Sequence, residues 1–318
     1  MNRSVLLLAA LWCGYTAAAE IVPALPDEEL TEVVITAPEP RYVAPTTRDR
    51  IGRVWVPVLI DGKGPFRLVF DTGALRTAIT TQTATRLVGN ASLENAPRVR
   101  LHGATGSAIA PTVKIDKLRV GDLEFAPQRV PVVADVFGGA EGLLGTDGMQ
   151  DHRIFIDFRN DFINIARSRN RRAAAGFTSV RFLPDKRNLL VVPVIVGSLP
   201  VRAIIDTGAQ STVGNSALQA ALRWRDRRDE STMDQVHGAT GDVQSGPAAR
   251  VSPIRLGDLQ VRNAHVTFAD LHIFDTWEMR DVPTLMIGMD IIGLLDQLVI
   301  DYHRRELHIK PRQDQDRS

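Results

Sequence analysis

The chain has 318 residues, of which 44% are hydrophobic, 24% charged and 6% aromatic. Lys and Arg number 38 against 37 Asp and Glu. The net charge of +1 excludes a strongly basic nucleic-acid binder and an acidic disordered chain, and the length allows about two domains.

In chain order, residues 1–19 carry Arg3, an apolar run from Val5 to Trp12, and Ala17-Ala18-Ala19 before Glu20. That order of charged, apolar and small residues predicts a signal peptide cleaved after Ala19, and its apolar run is too short to span a bilayer. Cleavage removes Cys13, the one cysteine, so the mature chain has no thiol chemistry and no disulfide. Export without disulfides points to a periplasmic or secreted protein of a bacterium. Residues 20–50 read as a flexible Pro-rich leader. Within it, Glu32 to Pro38 is similar to the short extended segments that outer-membrane receptors offer to an energy-coupling partner, which would make an envelope partner reachable through the leader. The other reading of this stretch is an extended tether.

Beyond residue 50 the chain repeats itself. Asp71-Thr72-Gly73-Ala74 recurs as Asp206-Thr207-Gly208-Ala209, and His102-Gly103-Ala104-Thr105-Gly106 recurs as His237-Gly238-Ala239-Thr240-Gly241, both at an offset of 135. Val120-Gly121-Asp122-Leu123 answers Leu256-Gly257-Asp258-Leu259 at 136, and Leu143-Leu144-Gly145-Thr146-Asp147 answers Met286-Ile287-Gly288-Met289-Asp290 at 143. Ile156-Asp157-Phe158 pairs with Ile300-Asp301-Tyr302 at 144. Five blocks in one order with a slowly drifting offset establish a two-fold duplication. The predicted division is lobe 1 at 51–166, a linker at 167–176, lobe 2 at 177–312 and a tail at 313–318.

Each copy reads mainly as strands. Val54 to Ile60 and Leu190 to Val196 are β-branched runs ended by Gly-containing turns. Phe66 to Phe70 and Val201 to Ile205 run straight into the two Asp-Thr-Gly sequences. Short helices are expected at Thr81 to Leu87, at Ser216 to Arg223, and after Asp147 and Asp290. Arg223 to Glu230 is mixed in sign and reads as an exposed, self-paired helix end or loop. The arginine-rich linker reads as solvated, with a basic patch for anions as the other reading. No later stretch is long and charge-free enough for a membrane helix, so no integral membrane segment is expected after signal removal.

An Asp closing an apolar strand and followed by Thr and Gly sets a carboxylate on a tight turn that another backbone can approach closely. One copy is a strand-ending turn. Two copies inside a duplication resemble the aspartic proteases, in particular the retroviral-type, retropepsin-like family and its bacterial relatives. The resemblance rests on the paired D-T-G-A loops, the paired apolar-apolar-Gly segments and the Gly-rich segment between them, and covers about residues 50–312. It implies an all-β fold of two lobes about a pseudo-two-fold axis, with one Asp from each lobe in a central cleft.

What the resemblance implies for chemistry is an aspartic endopeptidase acting on a peptide or protein substrate. Asp71 and Asp206 would be the catalytic dyad, sharing a proton because two adjacent carboxylates cannot both ionise easily; the aspartic proteases are the standard illustration of this effect. One carboxylate would activate a water, and the other carboxyl would bond the scissile carbonyl, with no metal and no cofactor required. Thr72 and Thr207 would cross-brace the loops, Gly73 and Gly208 would permit the close approach, and Leu143-Leu144-Gly145 and Met286-Ile287-Gly288 would pack beneath. Gly103 to Gly106 and Gly238 to Gly241 sit where the family has a flap over bound peptide. His102 and His237 read as surface or turn histidines, with substrate contact as the other reading. Ala74 and Ala209 carry no hydroxyl to lower the pair's pKa, which predicts activity near mildly acid or neutral pH. The alternative function is a catalytically inactive peptide-binding module that keeps the same cleft.

Overall fold

The computed structural model describes residues 33–34, 53–120, 123–126, 128–160, 162–222, 227–237 and 242–312. Residues 1–19, the leader apart from Val33 and Val34, the tail at 313–318 and Gly238 to Gly241 lie outside them. The first element is β1 (Val33–Val34). Repeat 1 supplies β2 (Trp55–Ile60), β3 (Lys63–Phe70), β4 (Ala78–Thr80), α1 (Thr81–Val88), α2 (Asn90–Glu94), β5 (Arg98–His102) and β6 (Ser107–Ile115). It continues with β7 (Leu118–Val120), β8 (Leu123–Phe125), β9 (Gln128–Val133), β10 (Gly142–Leu144), β11 (His152–Asp157) and β12 (Phe162–Arg167). After β13 (Thr178–Arg181), repeat 2 supplies β14 (Val191–Val196), β15 (Leu199–Ile205), β16 (Val213–Gly214), α3 (Ser216–Ala221), β17 (Arg227–His237), β18 (Val243–Val251) and β19 (Ile254–Leu256). It ends with β20 (Leu259–Val261), β21 (His265–Phe268), α4 (His272–Thr276), β22 (Thr284–Ile287), α5 (Met289–Ile292), β23 (Leu295–Asp301) and β24 (Glu306–Pro311).

The fold is predominantly β-sheet, and the two copies build sheets of matching topology. One runs β5-β6-β9-β4-β10-β3-β2-β7-β8, extended at one edge by β1; the other runs β17-β18-β21-β16-β22-β15-β14-β19-β20. Every strand of the second occupies the place of its counterpart in the first, which suggests a bilobal, pseudo-symmetric arrangement. A third sheet, β12-β11-β23-β24-β13, draws on both copies. There β11 and β23 pair antiparallel, with Ile154 opposite Ile300 and Ile156 opposite Leu298.

The sequence pattern accounts for the placement of the sheets. β2 and β14 alternate between buried and more exposed residues, as strands with one face on a core must. β3 begins with three exposed residues and β15 with that alternation, and both finish in three consecutive buried residues, Leu68-Val69-Phe70 and Ala203-Ile204-Ile205. Those last residues are covered on both faces: Leu68, Phe70, Ala203 and Ile205 join the main apolar cluster, while Val69 and Ile204 enter two smaller ones, and parallel neighbours pair Leu144 with Phe70 and Ile287 with Ile205. Phe66, Leu68 and Phe70 are at most 1% exposed, and burying side chains of this kind stabilises the fold by about 1.5–3 kcal/mol each.

Three local expectations are corrected. After Asp147 there is a turn and no helix: Gly148 takes φ +79°, and Met149 N–H donates to Thr146 O at 3.1 Å. The twin stretch, without that glycine, continues as α5. The second correction concerns Arg223 to Glu230, of which residues 227–230 are described. They begin β17, paired with β18 from Arg227 opposite Val251, so cross-strand pairing overrides the mixed-charge pattern. Finally, the helix expected over Ser216 to Arg223 is α3, which stops at Ala221 because Leu222 turns to extended backbone.

Among the described residues no helix is long and apolar enough to cross a membrane. β1 lies parallel to β5, with Val33 opposite Leu101 and Val34 opposite His102, so the leader adds a strand to the sheet of repeat 1.

Candidate active site

Asp71 and Asp206 stand at the ends of β3 and β15, one residue past the buried triplets. Each main-chain N–H donates across to the neighbouring parallel strand, Asp71 to Leu144 O and Asp206 to Ile287 O, both at 3.0 Å. Both aspartates are fully buried. One oxygen of each is held by its own loop. Asp71 Oδ1 accepts from Gly73 N at 2.9 Å and Ala74 N at 3.0 Å; Asp206 Oδ1 accepts from Gly208 N at 2.8 Å and Ala209 N at 3.0 Å. The other oxygen of each, Oδ2, is buried without a well-formed hydrogen bond to any described donor.

The two carboxyls face one another across the loops. A Cβ placed on Gly73 would lie 2.4 Å from Asp206 Oδ2, and one on Gly208 would lie 2.3 Å from Asp71 Cγ. No side chain fits there, so the glycines are what let each loop lie against the opposite carboxyl. Thr72 and Thr207 lock the arrangement. Thr72 N donates to Thr207 Oγ1 at 3.1 Å and Thr207 N to Thr72 Oγ1 at 3.0 Å. Their hydroxyls donate to Ile205 O at 2.6 Å and Phe70 O at 2.7 Å.

Burial and mutual repulsion set the protonation of this pair. Burial, then the charge of Asp206, holds Asp71 well above the usual carboxylate range, against the lowering pull of the Gly73 and Ala74 amides. Asp206 is pushed up to about 6, also chiefly by burial, while its two backbone amides and the Asp71 carboxyl pull it down. Both shifts run upward, so the pair holds on to one proton between its two carboxyls. Tyr302, in the turn after β23, lies close enough to feel the Asp71 charge. That charge and burial of its hydroxyl both disfavour the phenolate.

Beneath the loops, Ala74 O accepts from Thr146 N at 2.9 Å, and Ala209 O accepts from Met289 N at 2.8 Å. Gly145 and Gly288 pack against the main chain at Arg76 and Ser211, closer than a Cβ would allow. Two residue pairs were missed in the sequence. Asp147 Oδ1 accepts from both Thr77 N and Thr77 Oγ1 at 2.8 Å, and Asp290 holds Thr212 N at 2.9 Å and Thr212 Oγ1 at 2.7 Å. Each Thr hydroxyl in turn accepts from the Gly145 or Gly288 amide at 3.2 Å. The signal was present: both acids close the apolar-apolar-Gly blocks, and Thr77 and Thr212 stand 135 residues apart.

The first Gly-rich hairpin folds inward. Gly103 N donates to Gly106 O at 2.8 Å to close its turn, and Ala104 and Thr105 are buried against repeat 2. Ala104 O accepts from Ile273 N at 3.2 Å, and Thr105 Oγ1 donates to Asp242 O at 2.8 Å. His102 is a correction to the surface reading: it is 7% exposed, with Nδ1 2.9 Å from His272 Nε2. The second hairpin's Gly238, Ala239, Thr240 and Gly241 are outside the described residues, and of His237 only the strand position is described.

The sequence profile of a family described as aspartyl protease matches this chain twice, over residues 56–147 and 192–291. No curated protein matches it. Each matched region holds one Asp-Thr-Gly loop and the apolar-apolar-Gly segment beneath it, and together they span more than half of the sequence. The chain belongs to the aspartyl protease family.

Proposed function

We propose that the protein is an aspartic endopeptidase active as a single chain, with Asp71 and Asp206 as its catalytic pair and the two duplicated regions, 51–166 and 177–312, as its lobes. One observation carries this reading: two buried carboxyls face each other, each held through one oxygen, with the other oxygen of each left for substrate. With one proton shared by the pair, the ionised carboxylate takes a proton from a water lying between Asp71 and Asp206. The protonated carboxyl donates a hydrogen bond to the scissile carbonyl as the water oxygen adds to its carbon. The tetrahedral centre then collapses, the C–N bond breaks, and the proton taken from the water passes to the leaving amine. One water is consumed, and an acid and an amine are produced.

Buried amides at Gly73, Ala74, Gly208 and Ala209 fix the planes of the carboxyls, so little reorganisation is needed during reaction. The first hairpin, closed through Gly103 and Gly106 and bonded at Ala104 O by Ile273 N, must open before its backbone can bond an extended peptide as an added strand. The N-terminal pattern supports export, with cleavage after Ala19 and action in the periplasm or outside the cell.

The test is cleavage of a diverse peptide library by the chain beginning at Glu20, beside Asp71→Asn and Asp206→Asn. Cleavage lost with either substitution is the expected outcome. Binding of peptides without cleavage by the parent at any pH overturns the reading in favour of a non-catalytic peptide-binding module.

A further inference from the structure

Repeat 2 is longer than repeat 1 by seven residues between two pairs of matched positions. The offset is 136 at Leu123 and Leu259 but 143 at Leu144 and Ile287. The surplus follows Ala269-Asp270, which match Val133-Ala134 at the same offset of 136, and folds as α4 and the turn after it. Repeat 1 has only a turn at this place. α4 therefore lies outside the duplicated machinery, and its first residues reach the other copy's hairpin.

That contact is specific. Ile273 N donates to Ala104 O at 3.2 Å, and His272 Nε2 lies 2.9 Å from His102 Nδ1. The two imidazole planes are 12° apart with centroids at 5.2 Å. Combined with the short N···N distance, this is the geometry of two rings joined edge to edge through one N–H···N bond. Ala104 is 2% exposed in a cluster with Leu271, Ile273 and Phe274. The same cluster takes in Ala209 and, at its edge, Leu75, the residues just past the two aspartate loops.

We propose that His272 is a positioning residue whose hydrogen bond to His102 holds the first hairpin shut beside the Asp71–Asp206 pair, and that a second proton on the two imidazoles releases the hairpin. An N–H···N bond needs one nitrogen to donate and the other to accept. With both rings protonated, two N–H groups would point at each other, each on a cation. The closed hairpin can hold one added proton where the open one can hold two, so it is uptake of the second proton that falling pH couples to opening.

The charged groups on the elements around the pair are few. β5 carries Arg98 and Arg100, both exposed. α4 carries Asp275, held by Arg280 at 2.7 Å, and is preceded by Asp270, which accepts from Ser216 N at 2.9 Å. After α4 come Glu278, paired with Arg187, and Asp281. From the second hairpin, Asp234 accepts from Thr267 Oγ1 at 3.3 Å, and the Asp242 carboxylate lies against Gly106, where a Cβ would meet it. β1 contributes only Val33 and Val34. An acid beside the hairpin favours the first proton, while the second must still break the N–H···N bond.

That the hairpin covers a working site rests on the proposed peptidase activity; the latch itself does not. The test is therefore amide hydrogen exchange of the full chain over residues 102–107, corrected for intrinsic rates, at pH 7.5 and 5.5, with β23 as an internal control. The expected result is at least a tenfold loss of protection at pH 5.5 in the parent, with β23 unchanged. His272→Gln, whose neutral amide can bond His102 at both pH values, should keep the hairpin protected throughout; His272→Ala should leave it unprotected throughout. The fall should persist in Asp71→Asn. Protection that ignores pH in the parent overturns the proposal. So does a fall that survives in His272→Gln or vanishes in Asp71→Asn, since the latter would assign the switch to the carboxyl pair. Failure to cleave peptides would leave this readout intact.

Discussion

Thr72 and Thr207 exchange hydrogen bonds: each backbone N–H donates to the other's hydroxyl oxygen, at 3.1 and 3.0 Å. Each hydroxyl in turn donates a hydrogen bond to the last carbonyl of the opposite strand, Ile205 or Phe70. The two loops come from different copies of the repeat, so these four bonds join the halves at the point where the aspartates meet. Thr72→Ala strips the partner from two buried groups, Ile205 O and Thr207 N–H. At roughly 1–3 kcal/mol for each unpaired group, the expected loss is about 2–6 kcal/mol. Thr72→Ser keeps both bonds and should cost less than half as much. Urea unfolding of the two variants decides: equal losses would mean that the lost methyl, not the bonds, matters.

Gly208→Ala tests the close approach of the loops. Its new Cβ would sit 2.3 Å from Asp71 Cγ and 2.5 Å from Asp71 Oδ1, the oxygen already fixed by Gly73 and Ala74. The carboxyl must be displaced, and a displacement of about 1 Å at a reacting group can cost on the order of 100-fold in rate. Peptide cleavage by Gly208→Ala should fall at least that far, and Gly73→Ala should match it from the other side. Near-parental turnover in either variant would show that the loops have slack that the structure does not contain.

The sequence made the duplicated parts legible and the unduplicated parts opaque, for a physical reason. Asp71, Thr72, Gly73 and their twins could be read because each serves a local geometric need that only a few residue types meet, and two copies announce it. β2 and β14 followed from β-branched runs ended by Gly-containing turns, and β3 and β15 from apolar runs leading into the Asp-Thr-Gly sequences, all of them local signals. β17 did not, because its first residues are charged and become a strand through pairing with β18, which no local pattern encodes. His102 was misread for the same reason: its burial depends on α4, an insertion 170 residues away with no twin to point to it. Thr77 and Asp147 were within reach of the repeat comparison, but a side chain that acts by holding a neighbouring amide leaves no motif of its own.

The protonation of the pair fixes how stability varies with pH. Asp206 is raised from an ordinary 3.8 to about 6 in the folded protein, so the fold binds its proton more tightly than the unfolded chain does. Its contribution is complete below about pH 4, declines as pH rises through about 6, and is then lost. The shift of roughly two units corresponds to about 3 kcal/mol. Asp71, also raised, extends the decline to higher pH. Asp206→Asn removes this burden, so it should unfold at higher urea than the parent at pH 8 and lose that advantage at pH 4. Cleavage needs the pair with one proton, which places its optimum at or above about pH 6. An optimum confined to strongly acid pH would contradict both statements.

Asn215 shows how the second repeat accommodates its insertion, and it gives the sharpest substitution test. It stands 135 residues after Thr80, and both cap the helix that follows: Thr80 accepts from Thr83 N at 3.3 Å, and Asn215 Oδ1 from Leu218 N at 2.8 Å. Only Asn215 has a second task. Its amide nitrogen donates to the carbonyls of Met279, Arg280 and Val282 at 2.7–2.9 Å, which ties down the loop between α4 and β22. A threonine cannot span both duties, whereas an amide carries an acceptor at one corner and two protons at the other. Asn215→Ala should cost about 3 kcal/mol or more, since Leu218 N–H, Thr284 N–H and Arg280 O lose the Asn215 amide together around a fully buried side chain. Asn215→Asp keeps the cap but turns a carboxylate towards three carbonyl oxygens. At pH 7 it should be worse than Asn215→Ala, and it should recover as pH falls and the introduced acid takes up a proton. If Asn215→Asp matched the parent at neutral pH, capping alone would be its role, and the inserted loop would be held by something else.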